Sequence, residues 1–162
     1  AELYRTGRAD PLRGGRSVFH IHIERLIDKD IDTVFEALSD HAGYERFAGV
    51  TRSVLLEQGK DERNGKGALR HIVSGPIEFY ERITCFERPT RMGYLIEKSG
   101  PLPVRHERGD ITLAQEGDGT LVVWESDGHI QIPILGDLVL DRLAENRGGK
   151  MFHRFLKSIE TA

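Results

Sequence analysis

The chain has 162 residues, 38% of them hydrophobic and 30% charged, with a net charge of −3. That is enough for one domain with a real core, and the mild acidity gives no reason to expect a nucleic-acid partner. No run of about eighteen apolar residues marks a membrane span and no apolar signal region opens the chain; the lone Cys85 forms neither an internal disulfide nor a cysteine zinc site by itself, so a reducing, cytoplasmic setting is expected.

Residues 1–16, AELYRTGRADPLRGGR, are polar and without periodicity, and are read as an N-terminal arm. A single domain is expected over 17–162. Its first strand is 17–27. Phe19, Ile21, Ile23 and Ile27 point to one side and form the core face, while His20, His22 and Glu24 form a polar outer face. The two histidines stand about 7 Å apart, twice the rise per residue. They could hold half of a metal site, but neither a second such pair nor an HExxH motif supplies the remaining ligands. The reading is a solvated face with no metal. Arg25 interrupts the apolar series and is expected to snorkel to the strand end.

Two short helices follow, Ile31–Leu38 and Ala42–Phe47, the first capped by Asp30, whose carboxylate can accept a free backbone N–H. Then come six strand signals at 50–58, 66–74, 77–87, 91–98, 104–115 and 120–132, rich in β-branched and aromatic residues and separated by Gly, Pro, Asn or Asp. Gly75-Pro76 suits a two-residue hairpin with positive φ at its first position. That loop pairs Ser74 with Ile77 and places Arg70 opposite Glu81, on a face shared with Ala68, Ile72, Phe79, Ile83 and Cys85. An inward arginine and glutamate should come as a pair, since either charge alone would be costly to bury. Taking Asp118-Gly119 as the next hairpin loop sets Leu113 against Trp124, Ile111 against Ser126, Gly109 against Gly128 and Glu107 against Ile130. The opposed glycines then leave a cavity of a few hundred Å³ beneath the last helix. That helix is expected from Ile134 to Ile159. Leu135, Leu138, Val139, Arg142 and Leu143, then Phe152, Phe155, Leu156 and Ile159, trace its apolar face, and Gly148-Gly149 marks a kink or a close backbone approach.

Six consecutive strands with short turns form an antiparallel meander, and only the last helix is large enough to cover it. The class is therefore α+β. This order, with the stretches IDKDIDTVFEALSDHAGYERF (27–47), GKGALR (65–70), YERITCFERPTRMGYLIEKSGPLP (80–103), RGDITLAQEGDGTLVVWES (108–126) and FLKSIE (155–160), resembles the SRPBCC superfamily, in its bacterial cyclase/dehydrase-like branch. That superfamily holds START lipid-transfer domains, the birch-pollen-allergen fold and polyketide cyclases. The resemblance implies a helix-grip fold: a seven-stranded curved antiparallel sheet around the long C-terminal helix, two short helices after the first strand, and a ligand cavity between. It does not imply one chemistry.

The leading functional reading is a domain that binds a small or medium apolar ligand, lipid-like or polyketide-like. The alternatives are a cyclase or dehydratase using acid–base residues in the same cavity, and an interaction protein whose pocket is vestigial. Expected ligand contacts are Arg70, Glu81, Tyr94, Glu107, Ile111, Trp124, Ser126, Phe152 and Phe155. The sequence assigns no catalytic residue. His106 and Glu107 are adjacent in a strand, so their side chains oppose each other and cannot work together. No glycine-rich phosphate loop is present, so no cofactor is expected. The partner is a small apolar molecule, with the chain a monomer or homodimer.

Overall fold

A computed structural model describes residues 19–132 and 139–162. The elements are β1 (Phe19–Ile27), α1 (Ile31–Ser39), a 3-10 helix (His41–Arg46), β2 (Arg52–Glu57), β3 (Leu69–Ser74), β4 (Ile77–Glu87), β5 (Arg91–Gly100), β6 (Val104–Glu116), β7 (Gly119–Ile130) and α2 (Asp141–Thr161). The seven strands form one antiparallel sheet in the order β1-β7-β6-β5-β4-β3-β2. The meander is as expected, and β1 closes it by pairing with the last strand. The arm 1–16 and the expected helix start at Ile134, with Leu135 and Leu138, lie outside the described residues.

Local chemistry accounts for the first elements. The Asp30 carboxylate accepts from the Thr33 backbone N–H at 2.9 Å and from its hydroxyl at 2.6 Å, which caps α1. Val34, Phe35 and Leu38 then turn inward. Arg25 reaches the edge of the core, where its Nε donates to Glu160 of α2 at 3.1 Å. The Gly75-Pro76 hairpin has the expected register: Ser74 pairs with Ile77 and Arg70 with Glu81, with Gly75 at φ +58°.

Four expectations change. The second hairpin loop is Gly117-Asp118, with Gly117 at φ +60°, so Glu116 pairs with Gly119 and Ile111 faces Trp124. This slip of two residues preserves the faces, because side chains alternate with period two. Further along, a bulge between His106 and Arg108 reverses the alternation. His106 turns in and Glu107 turns out to solvent. A second bulge, between Ile83 and Cys85, brings Phe86 against the core and leaves Cys85 beside Glu87 instead of in the core. Lastly, Val139 and Leu143 are 55% and 41% exposed. The buried stripe of α2 is Asp141, Gly149, Phe152, Phe155, Leu156 and Ile159. Stepping back from Ile159 at about 100° per residue puts Asp141 in phase and Leu143 on the far side.

The glycines are sites of close approach. A Cβ at Gly148 would stand 2.5 Å from Ile21 Cδ1, so α2 lies tight against β1 and runs on without interruption. A Cβ at Gly109 would stand 2.5 Å from the Tyr94 ring, and one at Gly128 2.6 Å from the Arg105 carbonyl oxygen and 2.8 Å from the Phe19 ring. The space expected to be open at Gly109 and Gly128 is thus filled by Tyr94 and Phe19. Because the obstacle at Gly109 is a fully buried ring, Gly109→Ala should lower unfolding stability by about 1–3 kcal/mol. Urea denaturation measures this; an unchanged midpoint would show that the ring can move aside.

Candidate functional site

Arg70 stands at the centre of the concave face, 1% exposed. Its Nε donates to Glu81 Oε2 at 2.7 Å, and Nη2 lies 2.7 Å from the same oxygen. Nη1 donates to Tyr44 Oη at 2.8 Å and to His41 Nδ1 at 3.1 Å. The guanidinium carbon lies 5.1 Å from the Tyr44 ring centroid and 5.2 Å from that of Tyr94, within cation–π range. The Gly75-Pro76 hairpin supplies Arg70 and Glu81, while the 3-10 helix supplies His41 and Tyr44 three residues apart. Tyr44 in turn donates to the Leu38 carbonyl at the end of α1.

A second cluster adjoins the first through Tyr94. Trp124 Nε1 donates to Tyr94 Oη at 2.9 Å, and the Ser126 hydroxyl lies near the same oxygen. His106 Nε2 lies 2.9 Å from Ser126 Oγ, and its ring stacks on Tyr94. Beyond this level β5 and β6 separate: their ladder spans only Arg91–Tyr94 against Gly109–Thr112. The Ile96 N–H there donates to His106 Nδ1 at 3.1 Å, so an imidazole fills the opened seam. Phe152 and Phe155 of α2 close the site, Phe152 stacked on Trp124 with centroids 4.0 Å apart and Phe155 against Tyr44 at 4.8 Å.

The electrostatics follow from these contacts. Burial opposes the charge on Arg70, but Tyr44 and Glu81 outweigh it and hold the guanidinium protonated. Burial first, then the Arg70 charge, push His41 down to about 3. Burial lowers His106 to about 4. Each ring accepts at Nδ1, from Arg70 and from the Ile96 N–H respectively; each therefore carries its proton on Nε2, directed at the Asn64 carbonyl and at Ser126. Burial also raises Tyr44 and Tyr94, which stay protonated. The site thus presents one fixed cation, two neutral histidines and two phenols within an aromatic wall. It is suited to holding an oxygen of a bound molecule with several hydrogen-bond donors.

Of the expected contacts, Arg70, Glu81, Tyr94, Ile111, Trp124, Ser126, Phe152 and Phe155 are all buried. Glu107 is not among them. His41 and Tyr44 join the site with no role assigned from the sequence, and His106, weighed there only beside Glu107, joins it as well. A cleft of about 450 Å³ opens elsewhere, at the C-terminal end of α2, lined in part by Ala37, Asp40, Phe47, Asn64 and Ile159. It meets this site through Phe47, which packs on Tyr44 and Phe155, and through Asn64, whose carbonyl accepts from His41 Nε2 at 2.8 Å. On the other face of the sheet, His20 and His22 lie opposite Asp127 and Glu125 of β7.

A curved antiparallel sheet gripping a C-terminal helix around a buried polar cluster defines the helix-grip class. The chain belongs to the polyketide cyclase/dehydrase and lipid transport family, whose model matches residues 18–162. Solved structures agree on the fold. A START superfamily protein from Mycobacterium smegmatis superposes with TM-score 0.70 at 12% identity, over 88% of this chain and 94% of its own. A Thermus thermophilus protein gives 0.71 at 20%, over 88% and 94%. An aromatase/cyclase from Streptomyces sp. R1128 gives 0.69 at 16%, over 89% and 94%. Sequence comparison with curated proteins gives no match. No helix among the described residues is long and apolar enough to cross a membrane.

Two outcomes are expected. Arg70→Met strands the buried Glu81 carboxylate and should cost about 3–5 kcal/mol, while Arg70→Met with Glu81→Gln should recover most of it; urea denaturation of both variants decides. Stability should also fall as pH drops from 6.5 to 5. His41 and His106 are neutral when folded but take up protons when unfolded, so acid favours the unfolded chain until their folded values near 3 and 4 are passed. His22 acts in the opposite sense: burial lowers its pKa, but bonds to Glu24 and Glu125 raise it above the ordinary value. Its contribution is full below 6.5 and fades as pH rises. Two histidines against one set the sign, and denaturation midpoints at both pH values test it.

Proposed function

We propose that this chain binds a small molecule with an apolar body and at least one oxygen, held between the sheet and α2. The oxygen is met by Arg70, Tyr94 and Ser126, and the body replaces the contact of Trp124 with Phe152. The observation that carries this reading is Arg70 itself. A buried ion pair is weak support for a fold, since well-packed apolar residues of similar volume often serve as well or better. Yet a charged pair, two phenols, two neutral histidines and a serine are gathered under the covering helix, in a family of hydrophobic-ligand proteins. Ligand entry requires Trp124 and Phe152 to part, because their rings are in contact.

A second reading, an acid–base enzyme of the cyclase or dehydratase type, is favoured by His106. Its imidazole is neutral at pH 7, and its Nε2–H points at Ser126, which lies near the Tyr94 hydroxyl. Such a chain can aim the Tyr94 hydroxyl at a bound carbonyl oxygen as a hydrogen-bond donor that polarises it.

Trp124 is the only tryptophan, so its fluorescence reports on the site directly. Titration with anilinonaphthalene sulfonate should change Trp124 emission with one molecule bound per chain. The double variant Arg70→Met/Glu81→Gln, which keeps the fold, should bind at least tenfold more weakly. Equal binding by the double variant would remove Arg70 as the anchor, and no change in Trp124 emission would remove the site. Turnover of an added polyketone, lost in His106→Gln, would move the assignment to the second reading.

A further inference from the structure

We infer a divalent transition-metal site on the outer face of the sheet, formed by His20 and His22 of β1 with Glu125 of β7. One ligand atom from each of the three lies within 4.8 Å of the other two, and all three residues are half-buried. Ligands bonded at about 2.0–2.2 Å to a tetrahedral zinc ion stand roughly 3.4 Å apart, so shifts of about 1 Å assemble the site.

The strand register provides what the two histidines alone lacked. His22 lies directly opposite Glu125 and His20 opposite Asp127. Each ring also has a carboxylate on one nitrogen: Asp127 holds Nδ1 of His20, and Glu24 lies 2.9 Å from Nε2 of His22. That leaves Nε2 of His20 and Nδ1 of His22 for a metal. A carboxylate behind a ligating imidazole fixes the tautomer and strengthens the donor. Glu125 Oε1 already lies 3.2 Å from His22 Nδ1, where the ion would sit between them. Arg108 binds the other oxygen of each carboxylate, Glu125 Oε2 at 3.0 Å and Asp127 Oδ2 at 2.6 Å, leaving the first oxygens to the metal and the rings.

Charge points the same way. Around two imidazoles stand three carboxylates, Glu24, Glu125 and Asp127, and one guanidinium, Arg108; with the rings neutral this leaves two negative charges in excess, which one divalent cation cancels. Two imidazoles with a carboxylate suit zinc and its first-row neighbours, whereas magnesium and calcium prefer all-oxygen sets. Bound there, the ion ties β1 to β7. It sits beside the point where Glu145 of α2 accepts the His20 backbone N–H at 2.8 Å, so it also braces the strand on which α2 rests. The site is separate from the buried cluster and independent of what that cluster binds.

The test is calorimetric titration of the tag-free full chain with Zn²⁺, with thermal melts at saturation. One Zn²⁺ should bind per chain and raise the melting temperature by mass action. His22→Ala and Glu125→Gln should each weaken binding at least tenfold. His71→Ala, which removes an outer-face histidine on β3, should leave it unchanged. Absence of stoichiometric binding by the unmodified chain overturns the site, whatever the variants do. Undiminished binding by both variants, or an equal loss in His71→Ala, overturns it as well.

Discussion

The buried charge of Arg70 sets the terms for everything around it. A guanidinium has five donors and no means of shedding its proton. Placed on the concave face of a sheet and covered by a helix, it must be answered by acceptors and ring faces from several elements at once. Glu81 answers from the neighbouring strand, while His41 and Tyr44 answer from the 3-10 helix. The short helical segment between β1 and β2 is therefore held by the same bonds that neutralise the arginine. Tyr44 also touches Phe47 and Phe155, so the polar cluster and the aromatic contact with α2 form one assembly. Among the described residues no buried side-chain nitrogen or oxygen lacks a partner. That completeness is what makes so polar an interior tolerable.

Much of this is legible from local rules. The Gly75-Pro76 loop has one favourable geometry, and from it the Arg70–Glu81 pair follows by counting. The face of Trp124 and Ile111 survives a misplaced loop because an even slip leaves every side chain on its own side. Two features escape for a common reason: each depends on one extra residue or one lost phase. The bulge at Glu107 exchanges the roles of His106 and Glu107. A trace of it is present in the sequence, since Val104 is apolar at an even position whereas Gly109, Ile111 and Leu113 share odd ones. The exposed side of α2 escapes because Leu143 reads as one stripe with Phe152–Ile159, although it lies on the opposite side of the helix. The partners of His20 and His22 are out of reach for another reason: they come from β7, more than a hundred residues away, through a pairing no local pattern specifies.

The filled interior has a plain cause. Glycines opposite one another would leave space, but Gly109 faces Ser126, and Gly128 faces His106. Each glycine instead admits one large ring, Tyr94 or Phe19, against the backbone. Small residues here are complements to neighbouring aromatics, and the room for a bound molecule has to come from rotating rings rather than from standing vacancy.

The parting of β5 and β6 has a mechanical consequence. A sheet resists bending across its strands through main-chain rungs, and along this seam the rungs stop after Tyr94. Beyond that point the two halves of the sheet are coupled by an imidazole lodged between the Ile96 amide and the Ser126 hydroxyl, and at the far end by the 101–103 turn, where Ser99 Oγ accepts from the Val104 N–H at 2.9 Å. Stiffness there is a side-chain property. The sheet is a pair of leaves riveted at one end and looped together by a short turn at the other, with a single histidine ring setting the compliance between.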